Sequence, residues 1–435
     1  MNFLHVSSYL PQDPPFRLHT TRYIMQPHRQ ERSRLFSEAY REVESFLTST
    51  NSLSEESTKT LLETLQTQFP TLRITEGWLL SSIKQLQRQQ QRLTRPRTPD
   101  EWDKIFPRYP IEADGFARAF TPNQEEDIRE TMKHYGLVVI HVFDEATCER
   151  AKEAMFEELN SIPNPRRQML LSPEKPESWE ACNWPSERKF LLSDPAFHQV
   201  AFDNATHETI HRVYAHLWQE ERLMVSIDRW GIARGTKGLR FPQPDGTYTT
   251  QDRADWQLSL SKHWDYNPWL FVQERKQGIE PGYQGFVAFA DHDIETGCHL
   301  TLPGGANFLK QWCLENEHPT SLGMKRRSYR PKENDPILQH MQPIPVRQGD
   351  MLIWSWGQLH STTPNDNHKM RLHQYIRMFP APIVNPQYAH QDNFSPKKIL
   401  HQYRESTPLK DIQLSPLGQT LLGYFEENPQ DLDQD

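Results

Sequence analysis

The stretch "SLSKHWDYNPW" (residues 259–269) decides how this chain is read. An alternating Leu/polar run ends at His263, passes Trp264 and reaches Asp265. On a strand, residues i and i+2 share a face, so an imidazole nitrogen and a carboxylate oxygen would stand side by side at the strand's end. That pair is two-thirds of the 2-His-1-carboxylate set, which holds Fe(II) and leaves coordination positions open. The spacing alone does not prove a metal. "HQD" recurs at His390 and Asp392 inside "NPQYAHQDNFSP", where Pro and Asn point to a surface loop.

The surroundings separate the two copies. Downstream of the first, "RQGDMLIWSWGQLHSTTPNDN" (347–367) contains a Gly-Asp turn, an apolar strand and His360 just ahead of a polar turn. This places a second imidazole at the end of a neighbouring strand. Arg371 then opens "RLHQYIRMF" (371–379), and a guanidinium there can grip a carboxylate through two parallel N–H bonds.

Further out, "YGLVVIHVF" (135–143) reads as a buried strand and "DEATCERAKEAMFEELNSI" (144–162) as a helix opened by an Asp cap. A helix is expected over about 196–219. Short strand-like runs follow: "RLMVSIDRWGIA", "DWQLSLSK", "GFVAFADH", "CHLTLPGG", "QPIPVRQGDMLIWSW" and "MRLHQYIRMFPA". A mainly β core with flanking helices, an α+β double-sheet jelly roll, is the architecture they suggest. Residues 1–30 read as extended and Pro-interrupted. Helical periodicity then starts after Ser33, Ser54 and Thr75, and the two prolines of "TRPRTPD" (94–100) close that region. The expected organisation is a helical extension over 1–100, the jelly-roll domain over 101–390 and a helical tail over 391–435.

Composition removes other classes. The 435 residues include 12 Trp, 14 Tyr and 21 Phe, enough to build a core, and the formal charge of -8 gives no footprint for nucleic acid. The four cysteines are far apart, without a Cys-x-x-Cys pair, as suits a reducing compartment. No segment has the ~18 apolar residues of a membrane span, and the N-terminus lacks the pattern of a secretory signal. A cytoplasmic protein with no membrane partner is expected; the oligomeric state is not readable.

Taken together, these motifs resemble the phytanoyl-CoA dioxygenase-like family of Fe(II)/2-oxoglutarate-dependent oxygenases. That family has an His-x-Asp pair, a distal His about a hundred residues on and an Arg about eleven residues later. Here the gaps are 360 − 263 = 97 and 371 − 360 = 11. Between them, "DHDIETGCHLTLPGGANF" (291–308) resembles the family's glycine-rich segment. The chain departs from the pattern at Lys262 and Trp264, which flank His263, and at Gly305-Ala306-Asn307, where Ser-His is usual. The resemblance spans about residues 115–385.

It implies His263, Asp265 and His360 as the Fe(II) ligands and catalytic centre, with His360 favoured over His368 and His373 by the family's spacing. It implies Arg371, rather than Arg377, as the anchor of the cosubstrate 2-oxoglutarate, and Thr362 as a hydroxyl on it, with O2 as the second cosubstrate. Trp264, Tyr266, Trp269 and Arg377 are candidate substrate-pocket residues, wall packing being the plainer role for the aromatics. Asp291, Glu295 and Gly297 are expected to shape a turn. The implied activity is hydroxylation of a small-molecule substrate with release of succinate and CO2. A cupin-type metal enzyme without 2-oxoglutarate, or a silent jelly-roll binding protein, stand as alternatives.

Overall fold

A computed structural model describes residues 27–49, 54–94, 97–185, 195–316, 328–381 and 412–423. The chain divides into two compact units, with the first boundary after Arg88. The first contains α1 (Pro27–Ser49), α2 (Glu55–Gln68) and most of α3 (Glu76–Thr94). Ser54 caps α2 with a reciprocal capping box to Ser57. Ala39, Val43, Leu61, Leu65, Leu79 and Ile83 form this unit's own core, following the 3.6-residue period of each helix. Helix α1 begins at Pro27, inside the stretch expected to be extended; proline is well suited to a first helical position.

The second unit mixes helix and sheet. It runs through α4 (Pro99–Ile105), α5 (Glu125–Tyr135), β1 (Leu137–His141), α6 (Glu145–Ser161), α7 (Gln199–Ala205), α8 (Glu208–Trp218), β2 (Leu223–Val225) and β3 (Trp230–Ala233). Then come β4 (Leu239–Pro242), β5 (Tyr248–Gln251), α9 (Pro268–Lys276), β6 (Tyr283–Ala288), β7 (His299–Thr301) and α10 (Gly305–Glu315). It closes with β8 (Gln342–Ile344), β9 (Asp350–Ser355), β10 (His360–Thr362), β11 (Arg371–Tyr375), β12 (Met378–Pro380) and α11 (Pro416–Leu421). The Asp144 carboxylate accepts from Thr147 N and caps α6 as read from sequence. The single helix expected over 196–219 is two, because Thr206 bonds back to Phe202 O and His207 caps a new start.

A five-stranded antiparallel sheet has the order β1-β9-β6-β11-β3, and a three-stranded one the order β10-β7-β8. Both faces of the large sheet are covered. Val138, Ile140, Val287, Ile353 and Leu372 pack toward the helices, while Val139, Phe286, Ala288, Leu352 and Trp354 pack with Ile344 of the small sheet. Burial on both faces explains why β1 and β9 read as continuous apolar runs instead of alternating ones. The polar exceptions on the face toward the small sheet make the site.

Two sequence expectations change here. "DWQLSLSK" forms no strand: residues 254–256 make a 3-10 turn, and the chain meets β10 through Leu260 hydrogen bonds to Ser361 and Thr362 and then a bridge at His263. The hairpin β4–β5 was not anticipated. The second His-x-Asp, at His390 and Asp392, and most of the 391–435 tail lie outside the described residues.

Candidate metal centre

His263 and His360 are pinned together by backbone. His263 N donates to His360 O and His360 N to His263 O, both at 3.0 Å, so two residues 97 apart in sequence become cross-strand neighbours. Their rings are 4.5 Å apart between centroids. Asp265 reaches the same point: Oδ1 is 3.1 Å from His263 Nε2, and Oδ2 is 3.5 Å from His360 Nε2. One ligand atom from each of the three residues lies within 4.8 Å of the others.

Second contacts orient these atoms. His263 Nδ1 donates to Ser261 O at 2.6 Å, and His360 Nδ1 donates to Gln358 O at 3.0 Å. A carbonyl only accepts, so each Nδ1 carries a proton and Nε2 is the ring atom turned to the centre, where a metal would take the place of its proton. Gln284 on β6 donates to Asp265 Oδ2 at 2.9 Å. Such outer contacts fix ligand rotamer and tautomer. Burial pushes the Asp265 carboxyl up, but hydrogen bonds and charge from His263 and His360 outweigh it and hold the group well below the usual range. For His263, burial lowers the value and Asp265 more than restores it, leaving it raised. Two imidazole nitrogens and one carboxylate oxygen, so oriented, are a donor set that fits a first-row divalent metal with open positions.

Arg371 stands at the start of β11, 2% exposed. Its Nε donates to His292 Nδ1 at 3.3 Å, and His292 Nε2 donates in turn to Leu372 O at 3.1 Å, which sets that tautomer. The guanidinium lies 5.6 Å from the centre of the Phe286 ring. No carboxylate among the described residues pairs with it, and burial lowers its pKa from the ordinary arginine value. Thr362 is buried on β10, its hydroxyl accepting from Leu260 N at 3.4 Å.

The other expected residues divide. Tyr266 stacks on Trp356 at 5.1 Å, and the Arg377 guanidinium lies over the same Trp356 at 5.3 Å, so these two share a layer. Trp264 is turned into a different cluster, 4.7 Å from Trp312, with Nε1 bonded to Gly357 O. Trp269 joins it at 5.3 Å from Trp312 and 5.1 Å from Tyr329. Trp264 and Trp269 thus pack against Trp312, in keeping with the wall role held to be the plainer one for these aromatics. His368 is exposed in a turn, and His373 is fully buried against Gly231. Asp291 accepts from Gln348 N, Glu295 O accepts from Asp366 N, and Gly297 adopts φ +84, where a Cβ would stand 2.9 Å from Thr363 O. These three shape the turn.

Sequence reasoning missed His292, His299 and Gln284. Strand alternation carried a signal for two of them. In "CHLTLP", His299 shares a face with Thr301, and in "YQGFVA", Gln284 shares one with Phe286, each a polar residue on an inward face.

No protein-family model matches the chain. It is 23% identical over 308 residues, 68% of its length and 86% of the relative's, to a Dictyostelium discoideum protein described as "Putative phytanoyl-CoA dioxygenase". Among solved structures, a hypothetical protein from Escherichia coli is 14% identical, covers 86% of this chain and 98% of its own, and has a TM-score of 0.49. The epimerase SnoN, solved with Fe3+, alpha ketoglutarate and nogalamycin RO, is 14% identical over 60% of this chain and 85% of its own, with a TM-score of 0.38. At these scores neither likeness bears on the chemistry. The chain is thus similar in sequence to a relative described as a phytanoyl-CoA dioxygenase, the family that the motifs around His263, His360 and Arg371 resemble.

Proposed function

We propose that His263, Asp265 and His360 hold Fe(II), that Arg371 anchors 2-oxoglutarate with Thr362 beside it, and that the site hydroxylates a small molecule. The observation that carries this reading is a preformed His-Asp-His donor set combined with a buried guanidinium that has no carboxylate partner. An unpaired buried charge costs several kcal/mol, so an arginine kept in this state is supported by an anion that arrives with the ligand. The two facing sheets support a double-stranded β-helix for the domain over 101–390, with a helical extension before it and a tail after it.

Bound iron, with 2-oxoglutarate and O2, supplies the oxidising power, as R–H + 2-oxoglutarate + O2 gives R–OH + succinate + CO2. The protein's own part is orientation and exclusion of water. The Ser261 and Gln358 carbonyls hold both imidazoles with Nε2 inward, and Gln284 holds the carboxylate. His292 steers Arg371 by accepting from Nε, which leaves the terminal nitrogens for a two-point grip. Trp354 and Phe286 close the floor between metal site and guanidinium. Tyr266, Trp356 and Arg377 form one side of the proposed substrate entrance. The formal charge of -8 disfavours nucleic acid as partner, and no helix among the described residues is long and apolar enough to cross a membrane.

The test is anaerobic loading with Fe(II) and 2-oxoglutarate, then O2 and a metabolite panel scored by succinate. Succinate that needs Fe(II) and disappears in His360→Ala supports the reading. Fe(II) bound without any affinity for 2-oxoglutarate contradicts it.

A further inference from the structure

The space between the two sheets holds polar atoms that the reading above leaves unused, and one of them stands beside the proposed centre. His299 is 3% exposed on β7, and its Nε2 has no hydrogen-bond partner. Its place is well defined. β7 pairs with β10 so that His299 stands directly opposite Thr362, and directly opposed side chains on one face of a pair are in contact range. The ring stacks on His360 at 5.6 Å with an interplanar angle of 18° and lies 4.6 Å from Trp354. On its other side is Phe286 at 6.2 Å, the ring that also faces the Arg371 guanidinium. His299 is therefore set between a proposed metal ligand and the proposed anion anchor, and its cross-strand neighbour is the hydroxyl expected on the cosubstrate.

A leucine would fill this apolar surround without a polar atom to satisfy. An unpaired buried imidazole nitrogen instead costs about 1–3 kcal/mol. A neutral imidazole carries one N–H, which can serve as a donor. His373 is the rival, since both its nitrogens also lack partners. Its ring, however, lies against Gly231, where a Cβ would stand 2.0 Å from Nε2, so that edge faces the β3 backbone.

We propose that His299 is a cosubstrate-binding residue that donates a hydrogen bond to the distal carboxylate of 2-oxoglutarate, beside Arg371 and Thr362. This rests on the 2-oxoglutarate reading and adds an imidazole to the grip. The experiment uses the full chain with Zn(II) in place of iron, so that binding is read without turnover. Two ligands are titrated by calorimetry: 2-oxoglutarate, and 2-oxopentanoate, which has the same carbon chain but no distal carboxylate. Loss of one hydrogen bond to a charged group predicts that His299→Leu raises the 2-oxoglutarate Kd roughly tenfold or more. His299→Gln, which keeps an N–H, recovers most of it. The 2-oxopentanoate Kd and the Zn(II) affinity stay in place. An unchanged 2-oxoglutarate Kd in His299→Leu, or equal weakening of both acids, overturns the proposal. If the wild-type Zn(II) protein binds neither acid, the 2-oxoglutarate reading falls and takes this one with it. That result is distinct from tight wild-type binding with an indifferent His299→Leu.

Discussion

Replacing Arg371 by methionine should make the protein more stable and unable to hold its cosubstrate. The side chain is 2% exposed, meets no carboxylate among the described residues, and makes one hydrogen bond, Nε to His292 at 3.3 Å. Removing an uncompensated buried charge relieves several kcal/mol, while the lost hydrogen bond from a charged donor costs about 1.5–3 kcal/mol. A net gain of roughly 2 kcal/mol corresponds to a Tm about 3 °C higher for a domain of this size. Methionine suits the swap because it is flexible and apolar and fills the arginine stem's path. The ligand side goes the other way. Two charge-assisted hydrogen bonds at about 1.5–3 kcal/mol each predict a 2-oxoglutarate Kd higher by ~10²–10⁴. Thermal melting of the metal-free protein and calorimetry of the Zn(II) form read the two effects. A Tm that falls by several degrees with 2-oxoglutarate affinity retained would refute the reasoning, since Arg371 would then be a structural residue with a partner of its own.

Other outcomes follow from the same geometry. His263→Ala and His360→Ala should each bring bound Fe(II), measured by metal analysis, well below one per chain. Gln284→Leu removes the 2.9 Å bond to Asp265 Oδ2 and should weaken metal affinity roughly ten- to hundredfold in a chelator competition. Gly231→Ala would put a Cβ 2.0 Å from His373 Nε2 and should lower stability by about 1–3 kcal/mol, read as a reduced Tm. Metal uptake should decline as pH falls, because a bound imidazole must give up its proton. Asp265 raises the His263 pKa against the opposing effect of burial, so the decline begins at a higher pH than for an ordinary imidazole.

How far the site was legible follows from where its information lies. The family's spacing along the chain singled out His263, Asp265, His360 and Arg371, the last two at the starts of β10 and β11. The direction of the side chains was not readable. Trp264 shares the motif with both proposed ligands, yet lies on the opposite side of an extended segment and packs on Trp312. His299 and Gln284 each interrupt an apolar strand, a pattern that a surface strand shows equally well; only the pairing of β7 with β10 and of β6 with β9 makes them inward. "DWQLSLSK" shows the limit of alternation. Its Leu/polar rhythm produced no ladder; the chain there meets β10 through Leu260 contacts to Ser361 and Thr362 and an isolated bridge at His263. The helices read more reliably: the Ser54 and Asp144 caps are local chemistry and sit where the sequence puts them.

The central claim is that this triad and this arginine work as one Fe(II)/2-oxoglutarate centre. The most direct measurement adds O2 to the anaerobic Fe(II)·2-oxoglutarate protein and quantifies succinate against O2 consumed, in wild type, His360→Ala and Arg371→Met. The account predicts succinate formed in step with O2 by the wild type, none above background from His360→Ala, and recovery in Arg371→Met only at far higher 2-oxoglutarate. Equal succinate from all three proteins, or O2 consumption with no succinate, would contradict it.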